Sequence, residues 1–348
     1  MKYFFSKLYL ILFIFSITTF SYAQVVINEY SASNLTGYTD NFNKTEDWIE
    51  LYNTSTSSVN IGGYHLSDKS ASPMKWEIPS GTSIPAHGFL TFWCSGRDEV
   101  SGGDYHTNFK LKQTKSTPES VVFSDMAGNI INEFELQITQ VEHAMGRESD
   151  GATTWKIFTS PTKGLPNTGT SYSAYAQAPE MSEEAGFYSG SVSISISNTE
   201  PNSSIYYTTN GNVPTASTTT YSSPITVNST RIIKAICISN NSDILPSLIT
   251  FNTYFIDETH AIPVLSTSGT AMQTMLNGDD TLRPHGTIEY FEDGVRVQHG
   301  YGEYNKHGQD SWAFPHRSYD YIARDEMGYH SVIFHRIEQE EREMMTST

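Results

Sequence analysis

The chain has 348 residues and a formal net charge of −17, with 37% of its residues hydrophobic and 13% aromatic. At roughly 100–200 residues per domain this predicts two or three domains with cores of their own, which excludes wholesale disorder. The 21 Lys and Arg, against 38 Asp and Glu, gather into no basic stripe, which argues against a nucleic-acid groove, and two cysteines make neither a disulfide framework nor a zinc cluster.

Residues 1–23 read as a signal peptide. Met1-Lys2 and Lys7 give a positive start, Leu8 to Phe20 an apolar run, and Ser21-Tyr22-Ala23 a small-x-small cleavage signal. Ser16, Thr18, Thr19 and Ser21 leave the run too polar and too short to span a bilayer, and no later stretch is long enough. The expectation is an exported chain that begins at Gln24 and is secreted or held at a cell surface, with no membrane contact after cleavage.

From residue 24 to 167 the apolar residues come in short runs broken by turn formers. Val25 to Tyr30, Trp48 to Tyr52, Lys75 to Ile78 and Gly88 to Cys94 are four of them, and Val121 to Phe123 with Ile130-Ile131 read as a hairpin around Ala127-Gly128-Asn129. Such spacing predicts an antiparallel sandwich, closed by Pro161 to Asn167, whose two prolines and glycine continue neither strand nor helix. A polar linker, 168–177, leads to a second β unit, 178–260. There Val192, Ile194 and Ile196 alternate with serines as a strand with one wet face, and Ile205 to Thr209 ends at the tight-turn pair Asn210-Gly211. Residues 261–348 form a third, strand-rich unit. It has a strand near Ile262 to Ser266, a short helix over Thr270 to Leu276, a hairpin around Glu292-Asp293-Gly294, and a pair of runs, Tyr319 to Ala323 and Tyr329 to Phe334, across Asp325 to Gly328. It ends in a polar tail, Glu338 to Glu343, and shows no second layer to cover its sheet. The fold class is all-β: two immunoglobulin-like sandwiches in tandem, followed by an incomplete unit.

Three stretches carry family resemblances. Ile27-Asn28-Glu29, Asp47 to Asn53, Ile61 to Tyr64, Leu66-Ser67-Asp68 and Pro161 to Asn167 make the first unit resemble a lamin-tail domain, which implies an immunoglobulin-like sandwich. Gly186-Phe187-Tyr188, Ile205 to Gly211 with Pro214, Pro224-Ile225, Ile233-Lys234-Ala235 and Pro246-Ser247 make the second resemble the C-terminal β-sandwich attached to chitobiase and hexosaminidase-like enzymes. That module is an accessory, so the resemblance implies no glycosidase activity. Pro263 to Ser266, Ile288 to Phe291, Gly294 and His307 to Pro315 make the third similar to the opening of CotH-type kinase-like proteins, with Arg317-Ser318 where that family usually has Lys-Ser. The resemblance covers a first lobe only; a kinase also needs a catalytic and a metal-binding Asp from a second lobe, so ATP and Mg²⁺ are implied only if a complete domain continues downstream. The order of the three modules resembles that of exported proteins of Bacteroidetes-like bacteria, and the chain reads as the N-terminal part of such a protein.

The candidate sites are weak in pattern. Asp40, Asp47 and Glu50 are calcium candidates, without the glycine of an EF-hand loop and against the commoner reading of strand-edge carboxylates. Tyr206 and Tyr207 face opposite ways, so one ring is expected outward as a sugar contact. Arg317, Arg324 and His316 are phosphate candidates, Arg offering paired contacts to phosphate oxygens, against an exposed basic turn. The tryptophans Trp48, Trp76 and Trp93 read as core rather than sugar platforms. Cys94 and Cys237 read as buried free thiols, and no spacing marks a catalytic nucleophile. The functional expectation is an exported binding or scaffolding protein, non-catalytic as it stands and without evident cofactors, whose partner is a surface glycan or a protein; the alternative is the N-terminal part of a CotH-like kinase acting on exported proteins.

Overall fold

The computed structural model describes residues 24–308, 312 and 317–329. The expected signal peptide at 1–23, the run expected over 330–334, the tail 338–343 and His316 lie outside the described residues. Strands and turns make up nearly all of what is described; the one α-helix among these residues is Met272–Leu276.

In the first unit an eight-stranded sheet runs in the order Ser171–Tyr172, Trp155–Phe158, Ala144–Arg147, Val25–Ser31, Trp48–Asn53, Phe89–Trp93, Asp104–His106, Glu99–Ser101. It faces a four-stranded sheet in which the expected hairpin, Ser120–Ser124 with Ile130–Glu135, is joined by His65–Ser67 and Trp76–Glu77. Alternation sorts the residues. Ile27, Ile49, Leu51 and Phe92 from one sheet meet Leu66, Val121 and Phe123 from the other, all withdrawn from solvent. The edges are the two-residue strands Ser171–Tyr172 and Trp76–Glu77, the three-residue Glu99–Ser101, and Ile130–Glu135, whose Asn132 side chain accepts a hydrogen bond from the Ile27 amide. Short or covered edges of this kind discourage strand addition.

In the second unit Val192, Ile194 and Ile196 are buried while Ser193 and Ser195 are exposed, as the alternation requires. They close over Ile205, Ile233, Ala235 and Tyr254. The sheet then continues past the boundary expected at residue 260. Gly186 of Gly186–Tyr188 pairs with Val295, so the hairpin His285–Glu292 with Val295–Lys306, the strand Val264–Gly269 and Tyr319–Ala323 all join the sheet that holds Arg231–Ser239 and Thr250–Ile256. This sheet folds over on itself. Ser266, Ser268 and Glu289 of the third unit touch Thr253 and Lys234 on the outer face of the second. The layer that the third unit lacked in sequence is thus supplied by its neighbour.

The linker 168–177 is not a free tether. Ser171–Tyr172 pairs with Ile157 and Phe158, and Ala174–Tyr175 pairs in parallel with Ile244–Leu245. Tyr175 Oη accepts a hydrogen bond from the Gln140 amide at 3.0 Å and lies 2.7 Å from His143 Nδ1, and Gln140 Nε2 donates to Pro246 O at 2.9 Å.

Cys94 and Cys237 are both free and fully buried, one in each sandwich, and burial pushes both thiols above their ordinary range. Neither sulfur is therefore expected to react with iodoacetamide in the folded chain, whereas both should be alkylated in urea; mass spectrometry showing native labelling at either would contradict the packing.

Candidate functional site

The core takes one face of the sheet formed by Val25–Ser31 and Trp48–Asn53, and the chemistry sits on the other. Ile27 pairs with Leu51 and Tyr30 with Ile49. Between Ile27 and Glu29 the register shifts, so Asn28 is the extra residue of a bulge and Glu29 comes to stand opposite Glu50. Two carboxyl groups thereby share the outer face, and both residues are 0% exposed.

Their cover is the segment 161–167. The Thr162 amide donates to Glu29 Oε1 at 2.9 Å and its hydroxyl to Oε2 at 2.6 Å, while the Gly164 amide, at a left-handed turn (φ 77°), donates to Glu50 Oε2 at 2.5 Å. Asn167 closes the strap, its amide bonding Asp150 and its side chain donating to Arg147 O at 2.7 Å. Lys163 lies over the rings of Trp93 (4.7 Å) and Tyr38 (5.5 Å), and Tyr38 donates its hydroxyl to Pro161 O. Trp48 and Trp93 are buried here, in a small second core beneath the strap with Ala144 and Tyr38.

Burial, which penalises the charged form, pushes Glu29 up to about 7 and Glu50 up to about 8; the charge of Glu29 adds to the rise at Glu50, and the amides of the strap oppose it. Oε1 of Glu50 is buried without a hydrogen-bond partner. The arrangement favours protonated carboxyls near neutral pH and anchors the strap through the strap's own amides and hydroxyl, which donate to the carboxyl oxygens. It fits a metal poorly, because N–H donors point at these carboxylates, and among the described residues no three His, Cys, Asp or Glu side chains gather to hold an ion.

A second cluster has the order of a catalytic array without its access. Ser95 Oγ lies 3.0 Å from His106 Nδ1, and His106 Nε2 lies 2.9 Å from Asn41 Oδ1, so the ring donates to the amide oxygen and accepts from the hydroxyl. Ser95 is only 6% exposed and His106 0%, and Phe42 packs on the imidazole beneath the Arg97 guanidinium. This array ties loops together.

The third cluster joins the second and third units. Lys234 is 0% exposed; its Nζ donates to Ser268 O at 3.3 Å and lies 5.8 Å from the Tyr301 ring. Glu289 accepts from Arg296 at 2.8 Å and from the Thr253 hydroxyl and amide. Burial drives Lys234 down to about 7, countered by the charge of Glu289, while burial raises Glu289 and its bonds to Thr253 and Arg296 hold it back.

The residues singled out in sequence do not converge on one site. Asp40 Oδ1 accepts from the amides of Phe42 and Lys44, and its Oδ2 lies 4.0 Å from both His106 Nδ1 and Arg97 Nε. Asp47 is pushed well above the carboxylate range by burial and then by Glu326 and Asp325. Glu50 belongs to the strap cluster. The three calcium candidates thus answer to three different sets of partners, because alternation and the loop 40–47 send them apart. Neither Tyr206 nor Tyr207 is fully outward, as both are half-buried: Tyr207 packs edge-on to Tyr221 against the sandwich core, and Tyr206 shares the opposite face with Ile236. Arg317 donates to Leu276 O and lies over Trp312, whereas Arg324 pairs with Glu303 at 3.5 Å. The two guanidiniums bond different partners rather than a common anion, and the Nε of each is buried without a hydrogen-bond partner among the described residues.

Glu29, Lys163, Lys234 and Glu289 lie in segments that carry the family resemblances, but are not among the site residues singled out in sequence. A usable sign existed for Lys234, since Ile232 to Ile238 is apolar on both faces and two-sided burial traps whatever lies between.

Residues 18–138 match the family model of the Lamin Tail Domain, and residues 183–244 match that of the Chitobiase/beta-hexosaminidase C-terminal domain. No curated protein matches the chain. The first match stops before Ala144–Arg147, Trp155–Phe158 and the strap, and the second before Thr250–Ile256, although each sandwich needs those strands to complete its sheet. The chain thus carries a lamin tail domain followed by a chitobiase/β-hexosaminidase C-terminal domain.

Proposed function

We propose that this is an exported binding and scaffolding protein, non-catalytic as it stands, that presents two immunoglobulin-like modules to a surface glycan or a protein partner and works without a cofactor or nucleic acid. The observation that carries the reading is the junction: the segment 168–177 pairs into both sandwiches, and Gln140, His143 and Tyr175 bond across it. A connector spent on fixing one module against the next suits a spacer that holds binding surfaces at a set angle. The reactive groups support it too, because the Glu29–Glu50, Ser95–His106 and Lys234–Glu289 clusters are closed over by the chain's own residues. Export rests on the character of residues 1–23, and Tyr206, half-buried on the face opposite Tyr207, is the proposed sugar contact. The third unit is proposed as the first lobe of a CotH-type kinase-like domain, on Ile288 to Phe291 and the segment after His307.

The test is binding of the chain from Gln24 onward to a polysaccharide array and to surface-protein extracts, alongside incubation with labelled ATP and Mg²⁺. Saturable binding without transfer of label is expected. Phosphate transfer by this chain would sink the reading in favour of the kinase alternative, and failure to bind on either arm would reduce the modules to spacers.

A further inference from the structure

The turn at residues 325–329 touches all three units. Its Asp325 carboxylate enters the first sandwich, where Oδ2 accepts from the Gln113 amide at 2.8 Å and Oδ1 from the amide (3.2 Å) and hydroxyl of Thr114. Two successive backbone N–H groups and a hydroxyl aimed at one carboxylate form an anion nest. The receptor is built for the task. Gln113 and Thr114 are 6% and 8% exposed, and Gln113 is held by the amide and hydroxyl of Thr139 while its own Nε2 donates to Thr139 O and Asp325 O. At the other end of the turn Gly328 is left-handed (φ 76°), and a Cβ there would come within 2.8 Å of Ile138 in the first unit and 3.6 Å of Leu248 in the second. Tyr329 then bonds the backbone of Ile249 twice, accepting from its amide at 2.7 Å and donating to its carbonyl at 3.1 Å, and stacks on Tyr301 of the third unit.

We infer that residues 325–329 are a latch: the Gln113–Thr114 nest is a carboxylate-binding site filled in cis by Asp325, and its occupancy fixes the first sandwich against the other two units. The sequence around it serves this use. Asp325 supplies the anion, Met327 is buried beside it, and Gly328 is the only residue type that passes Ile138 without a clash at positive φ. The latch adds a second tie to the one at residues 168–177, and two ties remove the hinge that one would leave.

Amide hydrogen exchange on the chain from Gln24 onward, with and without Asp325→Ala, tests this. The amides of Gln113 and Thr114, and with them Ile249 through Tyr329, should exchange about tenfold faster or more in the variant, while Leu51 keeps its protection. Faster exchange confined to Gln113 and Thr114, with Ile249 unchanged, would overturn the latch and leave a local hydrogen bond; no change at any of them would overturn the nest itself. Should Asp325→Ala fail to fold, Thr114→Val removes the hydroxyl's share of the contact and leaves the two backbone amides, so the same pattern is expected at smaller amplitude, and an unchanged Ile249 would overturn the latch.

Discussion

Glu289→Ala is expected to destabilise the joined second and third units by about 3–5 kcal/mol, because it removes the buried carboxylate that pairs with Arg296 in a seam from which solvent is withdrawn. Arg296 would keep Phe251 O, Asn252 Oδ1 and the exposed Glu184 carboxylate at 3.7 Å, and Lys234 would keep Ser268 O and the Tyr301 ring, none of which replaces a buried carboxylate. Lys234→Met is the informative companion. The fold already holds Lys234 down at about 7, so it favours the neutral amine, and a methionine of similar length asks nothing of the seam. Replacing a buried charge by an apolar side chain is often neutral or stabilising. The contribution of the native lysine is fully present above its ordinary 10.5 and is lost as pH falls toward about 7, so the advantage of the methionine over it should grow from alkaline to neutral pH. Urea melts of both variants at pH 7 and pH 10 check this. Equal losses from the two substitutions would mean that the seam is held by packing rather than by charge.

The first sandwich should weaken as the solution turns alkaline. Glu29 and Glu50 titrate higher in the fold than their ordinary 4.5, so the folded state keeps protons that the unfolded chain would release. Their contribution is therefore complete below about pH 4.5 and is lost as pH rises through about 7 to 8, a change on the order of 3–5 kcal/mol for each group. Two ionised carboxylates under one strap then repel, with only the partly buried Lys163 nearby to offset them. Glu50→Gln keeps an oxygen for the Gly164 amide but cannot ionise, so it should reduce the pH dependence between pH 6 and 9 to the share of Glu29 while leaving the strap in place. Thermal melts followed by tryptophan fluorescence suit the measurement, since Trp48 and Trp93 lie beneath the strap. A native protein as stable at pH 9 as at pH 5 would contradict the buried carboxyl pair.

Local pattern carried far along this chain. The serine alternation at Val192 to Ile196, the hairpin around Ala127-Gly128-Asn129, the turn at Asp293-Gly294 and the helix ending at Leu276 all follow from side-chain period and turn chemistry within a few residues. The candidate sites fared less well for one reason: each was sought among neighbours in sequence. Asp40, Asp47 and Glu50 are close along the chain and part company in space, whereas Glu29, Glu50, Thr162 and Asn167 are distant along it and meet.

What the sequence determined alone was the all-β character, the two sandwiches and the turns between their strands, because those depend on alternation and on Gly, Pro and Asn at defined steps. It also held the segments Ile27-Asn28-Glu29 and Pro161 to Asn167, though not their union. Tertiary structure decided that union, through one bulge that turns Glu29 onto the face of Glu50. It likewise decided that the second unit covers the third, and that Asp325 reaches Gln113 across 212 residues. A bulge shifts every later side chain by one step of a two-residue period, and a cover or a latch is set by which faces remain apolar or hydrogen-bonding once each sandwich has closed. Neither is written in any short window of the chain.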